Sequence, residues 1–304
     1  MHDIDDIIMA ARAWQGEKMA LATVIEASGS APRPRGGHML IAADGRFAGS
    51  ISGGCIEYEV FALADQVMES GTSVVRHYGL SEDAWQPGLP CGGQIGVLIQ
   101  PVTPEGFPPD LFEEIAAARA AETAIALSTD LETGRTVAGE QEGQFINIVE
   151  PARRLLIVGA VQIAQALAAI AQATGFHVTI NDPRARFLTA ERFPGVALTD
   201  EWPDEAVAAF APGRQSAVVT LSHDVKIDDP ALIAALAAPT GYVGALGSRR
   251  NHARRIERLA ELGVTEANLA RIDGPAGVPI GGLGPQEIAL SIAAGMVKAL
   301  REGG

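Results

Sequence analysis

"RRLLIVGAVQIAQALAAIAQATGFHVTINDPR", residues 153–184, decides the fold of the second half of the chain. Its first part is an unbroken apolar run closed by Gly159. A strand of that composition has both faces buried. A helix-spaced run follows from Val161 and stops at Gly175, and "HVTINDPR" (177–184) reads as a second strand. Strand, helix and strand in that order make a βαβ unit, whose strands run parallel.

The same rhythm continues outward. "SAVVTLSHD" (216–224) and "TGYVGALGS" (240–248) read as a third and a fourth strand with helices between them. "GPQEIALSIAAGMVKAL" (284–300) is a closing amphipathic helix with Pro285 near its start. Toward the N-terminus the rhythm breaks at Pro151 and the basic pair Arg153-Arg154, which sets expected domains of 1–150 and 151–304. The first half carries hairpin signals instead, around Asp44-Gly45 and Glu132-Thr133-Gly134. A helix is predicted over 3–14, another over 53–71, with Val60, Leu63, Ala64 and Val67 on one face, and a third over 108–122. The fold class is therefore α/β: a mixed α+β domain followed by a Rossmann-like domain with a parallel sheet.

Composition narrows the function. The chain has 304 residues and a net charge of −14, which argues against nucleic acid or an anionic membrane as the main partner. No apolar run is long enough to span a bilayer, and the acidic start "MHDIDDIIMAARAW" lacks the form of a signal peptide, so a cytoplasmic location is expected. Three of the 23 basic residues are lysine (Lys18, Lys226 and Lys298), a composition bias with no weight of its own. Two cysteines make no disulfide framework.

Two turns in the second half bear on ligands. Gly159 to Ala164 occupies the place of a dinucleotide fingerprint, but its middle position is Val161, where glycine lets a pyrophosphate approach the backbone. Asp182 lies 23 residues after Gly159, where a ribose-binding acid belongs. Binding of NAD(P) and a Rossmann-like fold without it both remain open. In "GALGSRRNHARRIERL" (244–259), Ser248 and Arg249 stand at a strand-to-helix turn suited to an anion. Arg254 and Arg258 read as a solvated helix face paired with Glu257 and Glu261. His223, Asp224 and Asp228 read as a polar loop after a strand and not as a metal site.

Both cysteines stand against Gly-Gly: Cys55 in "ISGGCIEYEV" (51–60) and Cys91 in "LPCGGQIG" (89–96). A cysteine at a helix start gains thiolate character, and thiolate suits a soft metal, so Cys55 is the candidate metal ligand. Ser52, Gly53 and Gly54 would offer backbone donors before the helix, and Gly92 and Gly93 after Cys91 a second wall. Glu57 is either a ligand contact or a first-turn acid that caps the helix.

These segments, with "GSAPRPRGGHMLI" (29–41), resemble the signature segments of the XdhC/CoxI family, accessory proteins of xanthine dehydrogenase and related molybdenum hydroxylases. "LLIVGA", "NDPRARF" with Arg184, "LSHDVKID", "YVGALGSRR" and "GPQEIALSIAA" extend the resemblance over nearly the whole chain. Gly159-Ala160-Val161-Gln162 departs from the family's usual turn by lacking its second glycine and its histidine. The resemblance implies a cytoplasmic carrier of molybdenum cofactor and not a turnover enzyme. It would protect the cofactor while a sulfur ligand is installed, then pass it to an apo molybdenum hydroxylase. It also implies a cysteine desulfurase-type sulfur donor and a homodimer. The alternative is an oxidoreductase using NAD(P) in the second domain.

Overall fold

The computed structural model describes residues 3–79 and 92–302. The chain divides into two compact units, 1–151 and 152–304.

The first unit contains α1 (Asp3–Ala13), β1 (Met19–Ser28), β2 (His38–Ala42), β3 (Phe47–Gly49), α2 (Glu57–Ser70), β4 (Val74–Tyr78), β5 (Gln94–Pro101), α3 (Asp110–Ala120), β6 (Ile125–Thr129), β7 (Thr136–Ala138) and β8 (Phe145–Val149). Five strands form an antiparallel sheet in the order β3-β2-β1-β5-β4, and three more form a second sheet, β7-β6-β8. Side chains alternate between the two faces of a strand. Ala20, Ala22 and Val24 of β1 pack with Val60, Ala64 and Val67 of α2. Met19 and Leu21 pack with Ile7 of α1 and Phe112 and Ile115 of α3. Both faces are covered, which is why β1 reads as an apolar run from Met19 to Ile25 broken only by Thr23.

The second unit contains β9 (Arg153–Val158), α4 (Gln162–Ala173), β10 (Phe176–Asn181), β11 (Ala197–Thr199), α5 (Pro203–Phe210), β12 (Ser216–Thr220), α6 (Val225–Ala237), β13 (Tyr242–Ala245), α7 (Arg249–Glu261), α8 (Glu266–Leu269), β14 (Ile272–Asp273) and α9 (Pro285–Glu302). Its sheet runs β11-β10-β9-β12-β13-β14 with every pairing parallel. Leu155 and Ile157 face the cluster that holds Leu167 of α4 and Met296 of α9. Leu156 and Val158 face Val207 of α5 and Leu232 of α6. The strand order reverses direction between β9 and β12, the switch point where such folds bind ligands. No helix among the described residues is long and apolar enough to cross a membrane.

The sheet is wider than the four strands read from sequence. The edge strands β11 and β14 contain three and two residues, too few for a periodic signal.

Candidate functional site

The antiparallel registers of the first unit bring three separated segments to one end of the five-stranded sheet. Met39 pairs with Gly49, Thr23 with His38 and Ser28 with Gln94. The segments 29–37, 50–56 and the glycines before β5 therefore leave the sheet on the same side. Ala31 packs on the cluster that contains Ile51, Ile56, Tyr78 and Ile95.

The Gly-Gly-Cys segment is a loop and not the first turn of α2. The helix begins at Glu57, with Ile56 as its N-cap, so Cys55 lies two residues before it. This corrects the expectation of a cysteine at the helix start. Gly53 and Gly54 have φ of +74° and +110°, backbone conformations that do not continue into a helix. An added Cβ would meet nothing within 4 Å at either, so conformation and not crowding requires glycine there.

The backbone donors of this loop are already engaged. Glu57 folds back and accepts from the amides of Ser52 at 3.0 Å, Gly54 at 2.8 Å and Ile56 at 3.2 Å, and from the hydroxyls of Ser50 at 2.8 Å and Ser52. Ser50 Oγ takes the Gly53 amide and Ser52 Oγ takes the Cys55 amide, both at 3.0 Å. The amides expected to receive an oxo or phosphate group thus receive a carboxylate of the chain itself. Partial burial pushes the Glu57 carboxyl up, but hydrogen bonds from Ser52 and Ser50 outweigh it and bring it down to about 2. Glu57 is bonded to its own loop, as a first-turn acid would be. Cys55 stays exposed.

The neighbouring segment is held by a buried imidazole. His38 Nδ1 lies 2.9 Å from Thr23 Oγ1, and its Nε2 lies 3.0 Å from Asn147 Nδ2. The amide group of Asn147 donates, so Nε2 accepts and the proton sits on Nδ1. Burial drives His38 down to about 4, and the ring is neutral at pH 7. Arg35 lies over the Phe145 ring at 4.5 Å and donates to the Ile146 carbonyl at 3.1 Å. A small cavity of ≈ 50 Å³ opens beside Arg35, His38 and Asn147.

Cys91 falls outside the described residues. Of its two glycines, Gly93 is pressed on the 29–37 segment: a Cβ there would lie 2.5 Å from the Ala31 amide nitrogen. Gly92 has φ of +72° with open space around it. Gly92 and Gly93 thus join the end of the sheet that carries Cys55.

In the second unit, Gly159 has φ of +105° and faces the loop after β12; a Cβ on it would lie 2.7 Å from the Ser222 amide. Asp182 is fully buried beside it. Its Oδ2 accepts from the Ala160 amide and from Arg184 Nη2, each at 2.8 Å, and its Oδ1 from Arg184 Nε at 2.8 Å. Burial pushes this carboxyl up, but Arg184 and the Ala160 amide hold it below the usual carboxylate range. Asp182 and Arg184 brace the turn, and a ribose hydroxyl would have to displace one of these donors. Val161 is the extended N-cap of α4.

At the next turn Ser248 caps α7, accepting from the Asn251 amide at 3.2 Å, and Arg249 is exposed. Arg258 corrects the reading of a solvated row. It makes a two-point contact at 2.5 and 2.9 Å with the buried carboxylate of Asp229 on α6. Asp224 caps α6 through the Lys226 amide, Asp228 is buried on Ser222, and among the described residues no group of side chains suits a metal ion. Reading by sequence missed Ser50, Asn147 and Arg255. Arg255 has a signal: His252, Arg255 and Leu259 share one helix face, and Leu259 belongs to the core.

Residues 13–79 match the model of the XdhC and CoxI family, and residues 155–296 match that of the XdhC Rossmann domain. Over 271 residues the chain is 31% identical to the molybdenum cofactor insertion chaperone PaoD of Escherichia coli, covering 86% of this chain and 77% of that protein. It is 28% identical over 316 residues to a probable xanthine dehydrogenase subunit of Bacillus subtilis, with 93% of each covered. A solved structure described as a xanthine dehydrogenase from Bacillus halodurans shares the fold, with a TM-score of 0.82, 24% identity, and 99% of this chain and 96% of that one covered.

Proposed function

The chain belongs to the XdhC and CoxI family, and on that premise we propose that it is an accessory protein whose cargo is molybdenum cofactor. It holds the cofactor while a sulfur ligand is installed on the metal and then delivers it to an apo hydroxylase of the xanthine dehydrogenase type. A cysteine desulfurase-type protein supplies the sulfur, and the carrier works as a homodimer. The observation that carries this reading is the exposed thiol of Cys55 at the end of the sheet where the 29–37 segment, the 50–56 loop and Gly92-Gly93 converge.

Thiolate is a ligand for a soft metal and an acceptor in sulfur chemistry. The amides of residues 53–56 are committed to Glu57, Ser50 and Ser52, so Cys55 is offered on a rigid loop and the phosphate of the pterin is held elsewhere. The wide cleft lined by Glu26, Asp130, Glu132 and Glu142 is too acidic to attract that phosphate.

The test is purification from a molybdenum-replete host, followed by assay of bound pterin and metal. Wild-type protein should retain both, and Cys55→Ser should keep the wild-type melting temperature, lose the cofactor and fail to activate the hydroxylase. Equal retention by Cys55→Ser would reject the role of the thiol. Light scattering at micromolar concentration tests the dimer, and a single monomeric species would reject it.

A further inference from the structure

Arg255 is 5% exposed, and only one of its three nitrogens has a hydrogen-bond acceptor. Nη2 donates to the Leu246 carbonyl at 3.0 Å, while Nε and Nη1 are buried with no hydrogen-bond partner among the described residues. The nearest acid is Asp228, 3.8 Å from Nη2 and already engaged with Ser222. A buried donor left unmet is destabilising. Arg258, one turn further along α7, has a two-point carboxylate contact, whereas Arg255 has only the long ion pair with Asp228.

The guanidinium stands at the turn that opens α7. The Cβ position of Gly247 is 3.9 Å from Arg255 Nη2 and 3.6 Å from Asn251 Cβ, with no closer atom, and Gly247 has φ of +149°. Ser248 takes the Asn251 amide, which leaves the amides of Arg249 and Arg250 as the orphan donors of the helix start. The first turn contains no acid, and the side chains of Arg249 and Arg250 are exposed on it. A 13-residue helix with its positive end there and a buried cation behind it calls for a compact, multiply charged anion.

We infer that the turn between β13 and α7 is a phosphate-binding site, with Arg255 as its buried cation and the α7 amides and Arg250 as its outer donors. The ligand is a phosphate ester, and the absent side chain of Gly247 leaves the guanidinium reachable from the turn. The identity of that ester, the pterin's terminal phosphate or a nucleotide's, rests in part on the accessory-protein reading; the phosphate site itself does not.

The experiment is calorimetric titration of the full chain with inorganic pyrophosphate in a buffer free of phosphate and sulfate. Wild-type protein should bind it saturably. Arg255→Gln should weaken binding by roughly tenfold or more, while Arg254→Gln, exposed on the same helix, should leave it unchanged. Arg255→Lys keeps the charge and loses the fork; it should fold and bind several-fold more weakly, and it decides the matter if the glutamine variant does not fold. Stronger competition by AMP than by pyrophosphate would assign a nucleotide; displacement by extracted molybdopterin and not by AMP would assign the pterin. No saturable heat with wild type, or equal affinity in the folded Arg255 variants, overturns the site. Failure of the accessory-protein reading shows separately, in wild-type protein that retains neither pterin nor metal when purified from a molybdenum-replete host.

Discussion

Glu57 Oε2 accepts the Gly54 amide at 2.8 Å, so the acid two residues after Cys55 holds the turn that carries it. Glu57→Gln keeps the size of the side chain and removes the charge that binds five donors. The expected loss is about 2 kcal/mol of unfolding free energy, read as a lower urea midpoint. Its folded pKa of about 2 lies below the ordinary 4.5, so its contribution is present above pH 4.5 and is lost as pH falls from there toward 2. In the glutamine variant that acid limb should flatten.

His38 makes a separate pH window. Its folded pKa of about 4 is below the ordinary 6.5, so the unfolded chain takes up the proton first as pH falls. Stability should drop between pH 6.5 and 4 by roughly 3 kcal/mol. His38→Gln, which cannot titrate, should remove the slope in that window and leave the Glu57 limb below it. Denaturant midpoints measured at half-unit pH intervals separate the two. An unchanged slope in His38→Gln would assign the effect elsewhere.

Two glycines should respond to alanine for different reasons. Gly93→Ala places a methyl 2.5 Å from the backbone of Ala31, and backbone cannot move aside cheaply. Its cost should exceed 2 kcal/mol, about what overpacking a tight contact brings. Gly53→Ala meets open space and is strained only by its φ of +74°, a cost of about 1 kcal/mol. Thermal denaturation of both variants checks the order.

Nicotinamide nucleotides should bind weakly at the β9–α4 turn. Val161 stands where the fingerprint has its middle glycine, Ser222 closes on Gly159, and Asp182 is committed to Arg184 and Ala160. Val161→Gly removes one of these three obstacles and should raise NADH affinity only slightly in calorimetry. Asp182→Asn should cost about 2 kcal/mol of stability, because it weakens a buried charge-assisted network. Tight NADH binding by unmodified protein would show that the turn rearranges.

The fold was legible where burial is two-sided and long. Leu155–Val158 is core on both faces, and the period of α4 follows at once, so the βαβ unit shows in composition alone. The site was legible only as a set of segments. That 29–37, 50–56 and Gly92-Gly93 share one end depends on strand pairings across tens of residues, such as Ser28 with Gln94. The start of α2 reads too early in the sequence because a glycine's positive φ leaves no trace in residue type. Glu57 stayed ambiguous because a first-turn acid looks the same whether it faces a ligand or its own loop. The partner of Arg258 was missed because Asp229 lies 29 residues earlier, on another helix.

The antiparallel sheet of the first unit also has an opposite end. There Asp44-Gly45 turns β2 into β3, and Arg46 joins Asp44 and Glu17 at the surface. A dye, a spin label or a surface tether attached at Asp44 would be a sheet's length from Cys55. The molecule can therefore be immobilised by that handle at the end of the sheet away from the exposed Cys55 thiol.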